Sequence, residues 1–218
     1  MSSRGEYGEF MKWIRMWVEL YELDDAFYSR LVKGFDYEKV SRVSVYKYLI
    51  RFLDLWGVRR TAERIELEQL VDAIRELRGE LERLKGVRLT DVNLDDKRIE
   101  ESIRRIYERI SSVKGVGATS ASKIMHVLNP NLFVMWDSDI RSEYRMGEGS
   151  KDYLNFIRMM QEKAIAFLKY FGEERGCGRD EAERLLSEEH GGKSIAKLID
   201  EYNWLRTRKW RRKLEYLF

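Results

Sequence analysis

The sequence has little cysteine and histidine and no long apolar run, and each of these features excludes a class of protein or site. Its one cysteine, Cys177, excludes an internal disulfide and a four-cysteine iron–sulfur cluster. The two histidines, His126 and His190, stand apart, and no grouping of His, Cys and carboxylates has metal-ligand spacing, so we expect no metal. No apolar run approaches transmembrane length and the N-terminus is not a secretory signal, so we expect a soluble, cytoplasmic protein.

The sequence also lacks an excess of either sign of charge, although charged residues make up 36% of the chain. Lys and Arg total 41 and Asp and Glu total 38, which leaves a net charge of +3. A balance of this kind neither requires nor excludes a polyanionic partner, because the distribution of charge decides that question. Dense charge with few glutamines is typical of heat-adapted proteins. We expect residues 1–218 to form one globular unit, with two lobes as the alternative.

Apolar residues recur at helical spacing through most of the chain, which predicts an all-α fold. The leucine repeat within 61–85 also fits a coiled-coil seam, but it covers less than three heptads, so a bundle helix is favoured. Asp95 or Asp96 is the expected cap of a helix that carries Ile99 to Ile110. The apolar run 132–136 is expected to be extended or irregular, without a sheet. The other predicted helices cover residues 9–23, 42–57, 119–128, 151–171, 180–188 and 194–216.

The stretch 113–141 combines features of a phosphate site with a carboxylate. Gly115 and Gly117 allow a tight turn and a close approach of the backbone to a ligand. The following helix leaves its first N–H groups without intrahelical partners, so its start can bind a phosphate. Asp137 follows an apolar segment, where a carboxylate needs a partner or a task.

A glycine hairpin and a later aspartate are spaced in a recurring pattern, formed by Lys114, Gly115, Val116, Gly117, Ala121, Ser122, Trp136, Asp137 and Ile140. In this pattern, residues 103–141 resemble the helix-hairpin-helix DNA glycosylase superfamily, and most closely the archaeal-type 8-oxoguanine DNA glycosylases. The resemblance covers about a fifth of the chain. It implies a helix-hairpin-helix DNA glycosylase-like helical bundle, in which residues 99–141 hold the hairpin and Asp137 is the catalytic carboxylate. It also implies duplex DNA as partner and no cofactor, apart from a possible monovalent cation on hairpin carbonyls. The implied DNA ligands are Lys114, Gly115, Val116, Gly117, Ala118, Thr119 and Ser120.

Thr119 departs from the pattern of the bifunctional members of that superfamily, which carry a Schiff-base lysine at this position. A threonine hydroxyl cannot form the imine, so the resemblance implies base excision without lysine-dependent strand cleavage. Lys123, one helical turn further on, is the alternative amine. Asp139 is the rival carboxylate, although it is better placed in the first turn of a helix that begins at Ser138, with Asp137 as its N-cap. Trp136, Trp56 and Tyr48 are candidates for the walls of a base pocket.

A cluster of cations lies near the C-terminus. It creates a strong local field that favours a phosphate backbone, although the end of a solvated helix has a similar composition. We predict a DNA-binding protein that excises a damaged or mismatched base. The alternatives are a helix-hairpin-helix DNA-binding protein without catalysis and a helical protein-interaction module. The cluster comprises Arg206, Arg208, Lys209, Arg211, Arg212 and Lys213, of which Arg208, Lys209, Arg211 and Arg212 are the candidate DNA ligands.

Overall fold

The structure is a computed structural model that describes residues 3–58 and 62–208, and only the backbone of residues 18–26. All regular structure in these ranges is helical and contains no strand, which confirms the all-α prediction. The helices are α1 (Ser3–Gly34), α2 (Arg42–Ser44, continued by a π-helical stretch Val45–Ile50 and by Arg51–Leu55), α3 (Leu67–Glu76), α4 (Arg78–Arg83), α5 (Lys97–Ser111), α6 (Ala118–Leu128), α7 (Ser138–Glu143), α8 (Ser150–Arg175), α9 (Arg179–Glu189) and α10 (Ile195–Thr207).

The prediction of one helix over 61–85 is wrong. The chain forms α3 and α4 instead, with a break at Leu77. The first of them starts no earlier than Leu67, because the N–H of Glu66 donates to the carbonyl of Lys114 at 3.1 Å. This contact ties the segment before α3 to the glycine turn between α5 and α6. A bond to a residue far along the chain therefore replaces the helical turn that the leucine pattern predicts.

Buried apolar side chains from Tyr7 to Leu205 form one continuous cluster. The long helix α8 lies in the middle of the packing and contacts α1, α5, α9 and α10. Helix α6 packs on α5 and α1, and α10 packs on α1 and α7. This arrangement brings the start of α6, the start of α7 and the end of α10 to one side of the molecule.

The segment 132–136 forms no strand, as predicted, and its side chains are buried. Polar side chains compensate its backbone in place of a sheet. The N–H of Trp136 donates to Ser122 Oγ at 3.1 Å, and the Tyr153 hydroxyl donates to the carbonyl of Val134 at 3.0 Å. His126 Nδ1 donates to the carbonyl of Phe133 at 2.5 Å, and burial lowers the pKa of this histidine to about 4. The segment is thereby fixed against α6, and Asp137 follows it at a defined position.

Candidate functional site

A cavity of about 690 Å³ lies where the starts of α6 and α7 meet the end of α10 and the loop after α2. Its volume falls within the range of about 300–1,000 Å³ that is typical of small-molecule sites. The wall combines large aromatic faces with charges of both signs. The aromatic members are Trp17, Trp56, Trp136 and Trp204, and the charged members are Lys123, Asp137, Arg141, Glu148, Asp200 and Arg208.

The start of α6 faces this cavity. Gly117 is the N-cap, and no side chain among the described residues caps the helix. Ala118, Thr119 and Ser120 form the first turn and line the cavity together with Gly117. Since the first N–H groups of a helix have no intrahelical acceptor, this edge of the cavity is suited to an anion.

The two glycines of the turn differ in what surrounds them. Gly115 has φ +86°, and a Cβ atom there would lie 2.3 Å from the carbonyl oxygen of Arg64. We expected Gly115 to let the backbone approach a ligand closely, but it lies against the backbone of Arg64 instead. Gly117 has ordinary φ, and a Cβ added to it would meet nothing within 4 Å. Of the two, Gly117 is the one with open space for a ligand.

The remaining hairpin residues that were predicted to bind DNA differ in exposure and in whether they line the cavity. Lys114 is exposed and pairs with Glu66 at 3.0 Å. Val116 and Ser120 have buried side chains, so their side chains are not available to a large partner. Lys114, Gly115 and Val116 do not belong to the cavity wall.

Asp137 has the N-cap role that the sequence offered as an alternative, and it also lines the cavity. Its Oδ1 accepts hydrogen bonds from the N–H groups of Asp139 at 3.0 Å and Ile140 at 2.9 Å. Its Oδ2 accepts a hydrogen bond from Arg208 Nη2 at 2.5 Å. Asp139 lies in the first turn of α7, as expected, and is not part of the wall.

Lys123 projects into the same cavity from the next turn of α6. Its Nζ donates to the carbonyl of Trp56. Burial lowers the pKa of this amine to about 8, while Asp200 and Asp137 act in the opposite direction. Two residues that the sequence proposed as alternatives for one reaction, Asp137 and Lys123, therefore share one cavity.

Asp200, which the sequence reasoning missed, contributes a second carboxylate to the cavity. It accepts a hydrogen bond from Lys197 Nζ at 2.9 Å. Lys197 in turn lies 3.3 Å from Glu201, and Glu201 lies 2.9 Å from Lys193. The spacing of three and four residues on α10 indicates the two pairs of Lys197, but neither the pair of Lys193 with Glu201 nor the cavity.

Arg141 explains how Thr119 is oriented. The guanidinium donates to Thr119 Oγ1 at 3.2 Å and to Glu148 Oε1 at 2.7 Å. It also lies 5.5 Å from the centre of the Trp136 ring. Thr119 thus lines the cavity with its hydroxyl bound to an arginine.

The three aromatic candidates for the wall of a base pocket differ in position. Trp56 and Trp136 line the cavity, whereas Tyr48 does not and packs against Phe35 instead. Trp17 and Trp204 were not anticipated as wall residues, and their rings meet edge to face at 5.5 Å. Their apolar spacing along α1 and α10 is the same as that of core residues, so no sequence signal separates them.

Some predictions fall on residues for which no structure is described. Lys209, Arg211 and Arg212 lie outside the described residues, whereas Arg208 lies within them. Within the described ranges there is no cluster of three or more His, Cys, Asp or Glu side chains suited to a metal ion. The helices in those ranges are too short or too polar to span a bilayer.

Comparison with known proteins finds a family whose model matches the central part of the chain. The model of a family of unknown function (DUF6308) matches residues 60–173. This range includes the glycine turn, Thr119, Lys123, Asp137 and Arg141. No curated protein and no solved structure matches the chain.

Proposed function

The chain belongs to the DUF6308 family of unknown function, and we propose that it binds duplex DNA and excises a damaged or mismatched base. One observation carries the proposal: an uncapped helix start, a carboxylate and an aromatic cavity occupy the same side of the molecule. A base-excising protein needs all three, because it must hold a phosphate backbone, receive a flipped base and stabilise charge on the sugar.

The cavity supports the binding of a flipped base. Trp56 is partly exposed and supplies an aromatic face, and stacking on aromatic rings stabilises an unpaired base. Lys123 supplies a hydrogen-bond donor and Asp200 an acceptor in the same wall. The adjoining phosphates would lie at Gly117 and the first turn of α6, where N–H groups are available.

In the proposed reaction, water adds to C1′ of the sugar as the bond from C1′ to the base nitrogen breaks. The base leaves with the bonding electron pair and takes up a proton, and the sugar keeps a hydroxyl. Positive charge develops on the sugar ring, and Asp137 stabilises it or accepts a proton from the water. Thr119 offers no amine at the position where the resembled bifunctional glycosylases carry a lysine, so the strand stays uncut by chemistry at that residue.

The test is base release from a panel of duplexes that contain oxidised, deaminated, alkylated or mismatched bases, with abasic product revealed by alkaline cleavage. We expect Asp137→Asn to reduce release from the preferred duplex by at least about 100-fold, the lower end for a general acid–base residue. Asparagine retains an oxygen for the N-cap of α7, so the helix start is preserved. Asp139→Asn is the matched control, and we expect it to retain activity.

Borohydride trapping tests Lys123, the alternative amine. If the wild type forms a trapped complex and Lys123→Ala removes both the complex and the activity, Lys123 is the nucleophile and the inference from Thr119 is wrong. Base release without trapping supports hydrolysis by Asp137.

A second candidate function, DNA binding without catalysis, is favoured by the fact that both Asp137 oxygens already have partners. In that case duplex affinity falls steeply with salt and is reduced by Gly117→Arg, but no base is released from any duplex. Absence of binding even at low salt would instead favour the protein-interaction module.

A further inference from the structure

Arg208 covers the candidate carboxylate in the free protein. Its Nη2 lies 2.5 Å from Asp137 Oδ2, and its Nη1 lies 2.6 Å from Asp139 Oδ2. The guanidinium also lies 4.6 Å from the centre of the Trp204 ring, at the cavity wall. One planar cation thus bridges the first two acidic groups of α7 and occupies the space next to Asp137.

This arrangement leaves one donor of Arg208 unsatisfied. Its Nε is buried and has no hydrogen-bond partner within the described part of the chain. A buried N–H without an acceptor costs free energy, and a guanidinium binds a phosphate through two parallel N–H groups. A phosphate oxygen pair is therefore a competing ligand that could engage the donor left over here.

The position of Arg208 permits such an exchange. It directly follows α10 (Ile195–Thr207) with extended backbone, φ −75° and ψ 134°, so it lies at the end of the helix and not in its interior. Its side chain is 23% exposed and that of Asp139 is 49% exposed, so both are accessible from solvent. The pair of Arg208 with Asp139 is exposed enough to contribute little net stability, whereas the pair with Asp137, whose side chain is 14% exposed, is more buried.

We propose that Arg208 exchanges between Asp137 and a phosphodiester oxygen of bound DNA, so that DNA binding itself uncovers the carboxylate. The inference rests on the proposed function and adds a positioning residue to it. Without DNA, Asp137 stays paired and the cavity is closed on that side. With DNA, the arginine moves to the backbone and Asp137 Oδ2 becomes available to the sugar.

A double-mutant cycle on DNA affinity tests the exchange. The probe is a fluorescein-labelled duplex with a tetrahydrofuran abasic analogue, measured by anisotropy at low salt with the full chain. Asp139→Asn weakens the hold on Arg208 in the free protein, so we expect about two- to five-fold tighter binding. In an Arg208→Gln background the same change has no pair to weaken, and its effect should shrink to the general effect of one lost negative charge.

Arg206 and Glu143 provide the matched control pair. They form a similar ion pair at 3.1 Å, two residues from Arg208, and neither lines the cavity. We expect Glu143→Gln to have the same small effect with and without Arg206→Gln.

Equal effects of Asp139→Asn in both Arg208 backgrounds would overturn the exchange while leaving DNA binding intact. Failure of the wild type to bind the duplex would overturn the proposed function and the exchange together. If circular dichroism shows that Arg208→Gln unfolds, Arg208→Lys replaces it. Lysine lacks the guanidinium fork that contacts Asp137 and Asp139 through two separate nitrogens, so the tightening by Asp139→Asn should again fall below its wild-type value.

Discussion

At the scale of single residues, two glycines in one turn have different tasks. Gly115 needs both its left-handed backbone and its missing side chain, since Arg64 lies where a Cβ would be. Gly117 needs neither, because its φ is ordinary and the space beside it is open. A motif of two glycines therefore combines one requirement of the fold with one position that remains available to a ligand.

Alanine at the two positions should separate these tasks. We expect Gly115→Ala to lower the free energy of unfolding by about 2 kcal/mol or more, because left-handed backbone costs an ordinary residue about 1–2 kcal/mol and the overlap with Arg64 adds to it. Gly117→Ala should leave unfolding by urea almost unchanged. Similar losses of unfolding free energy in both variants would show that the space beside Gly117 is not open in the free protein.

At the scale of elements, α10 buries charges instead of exposing them. Glu201 and Lys197 are fully buried and Lys193 is almost so, and the three form a chain of ion pairs beneath the cavity. Lys197 also lies 5.0 Å from the Trp17 ring and 5.7 Å from the Trp56 ring, which belong to the cavity wall. The helix thus links the packing of the core to the position of Asp200.

Removing one charge from this chain should be costly. Glu201→Gln leaves Lys193 and Lys197 with fewer compensating charges in the interior, and we expect a loss of about 3–5 kcal/mol in urea denaturation. Glu181→Gln on α9 is the control, because Glu181 also pairs with an arginine, Arg184 at 2.5 Å, but both side chains are about half exposed. Equal unfolding midpoints for the two variants would argue against a buried Glu201.

At the scale of the whole molecule, tyrosines with buried hydroxyls make the stability of the fold depend on pH. Burial raises the pKa of Tyr107 and that of Tyr144 to about 12, and it raises those of Tyr7, Tyr153 and Tyr202 as well. In the unfolded chain these groups ionise near pH 10. The unfolded state therefore loses protons first, and the stability that the neutral phenols provide below pH 10 is lost as pH rises from 10 toward 12 and above.

We expect the melting temperature to fall steeply between about pH 10 and 12, with each buried phenol contributing about 1.4 kcal/mol per unit of pKa shift. Phenolate absorbance and far-UV circular dichroism, recorded together along an alkaline titration, provide the measurement. The main absorbance step should coincide with the loss of helix. Full ionisation near pH 10 with the helices intact would contradict the burial of these rings.

The sequence by itself determined the local features. The 3.6-residue period predicts most helices, although α1 extends beyond the predicted 9–23 and α3 and α4 replace one helix. Asp137 and Asp139 occupy the cap and first turn that were foreseen for them, because capping depends on neighbouring residues alone. The same is true of Asp96 at the start of α5.

Only the tertiary structure decided the site. Trp17, Trp56, Asp200, Trp204 and Arg208 come from distant parts of the chain, and each has the spacing or composition of an ordinary helical residue. Periodicity specifies which face of a helix is buried, but not which other helix covers it or where the cover is incomplete. The cavity, the placement of Lys123 inside it and the pairing of Arg208 with Asp137 follow from that packing, which no local pattern encodes.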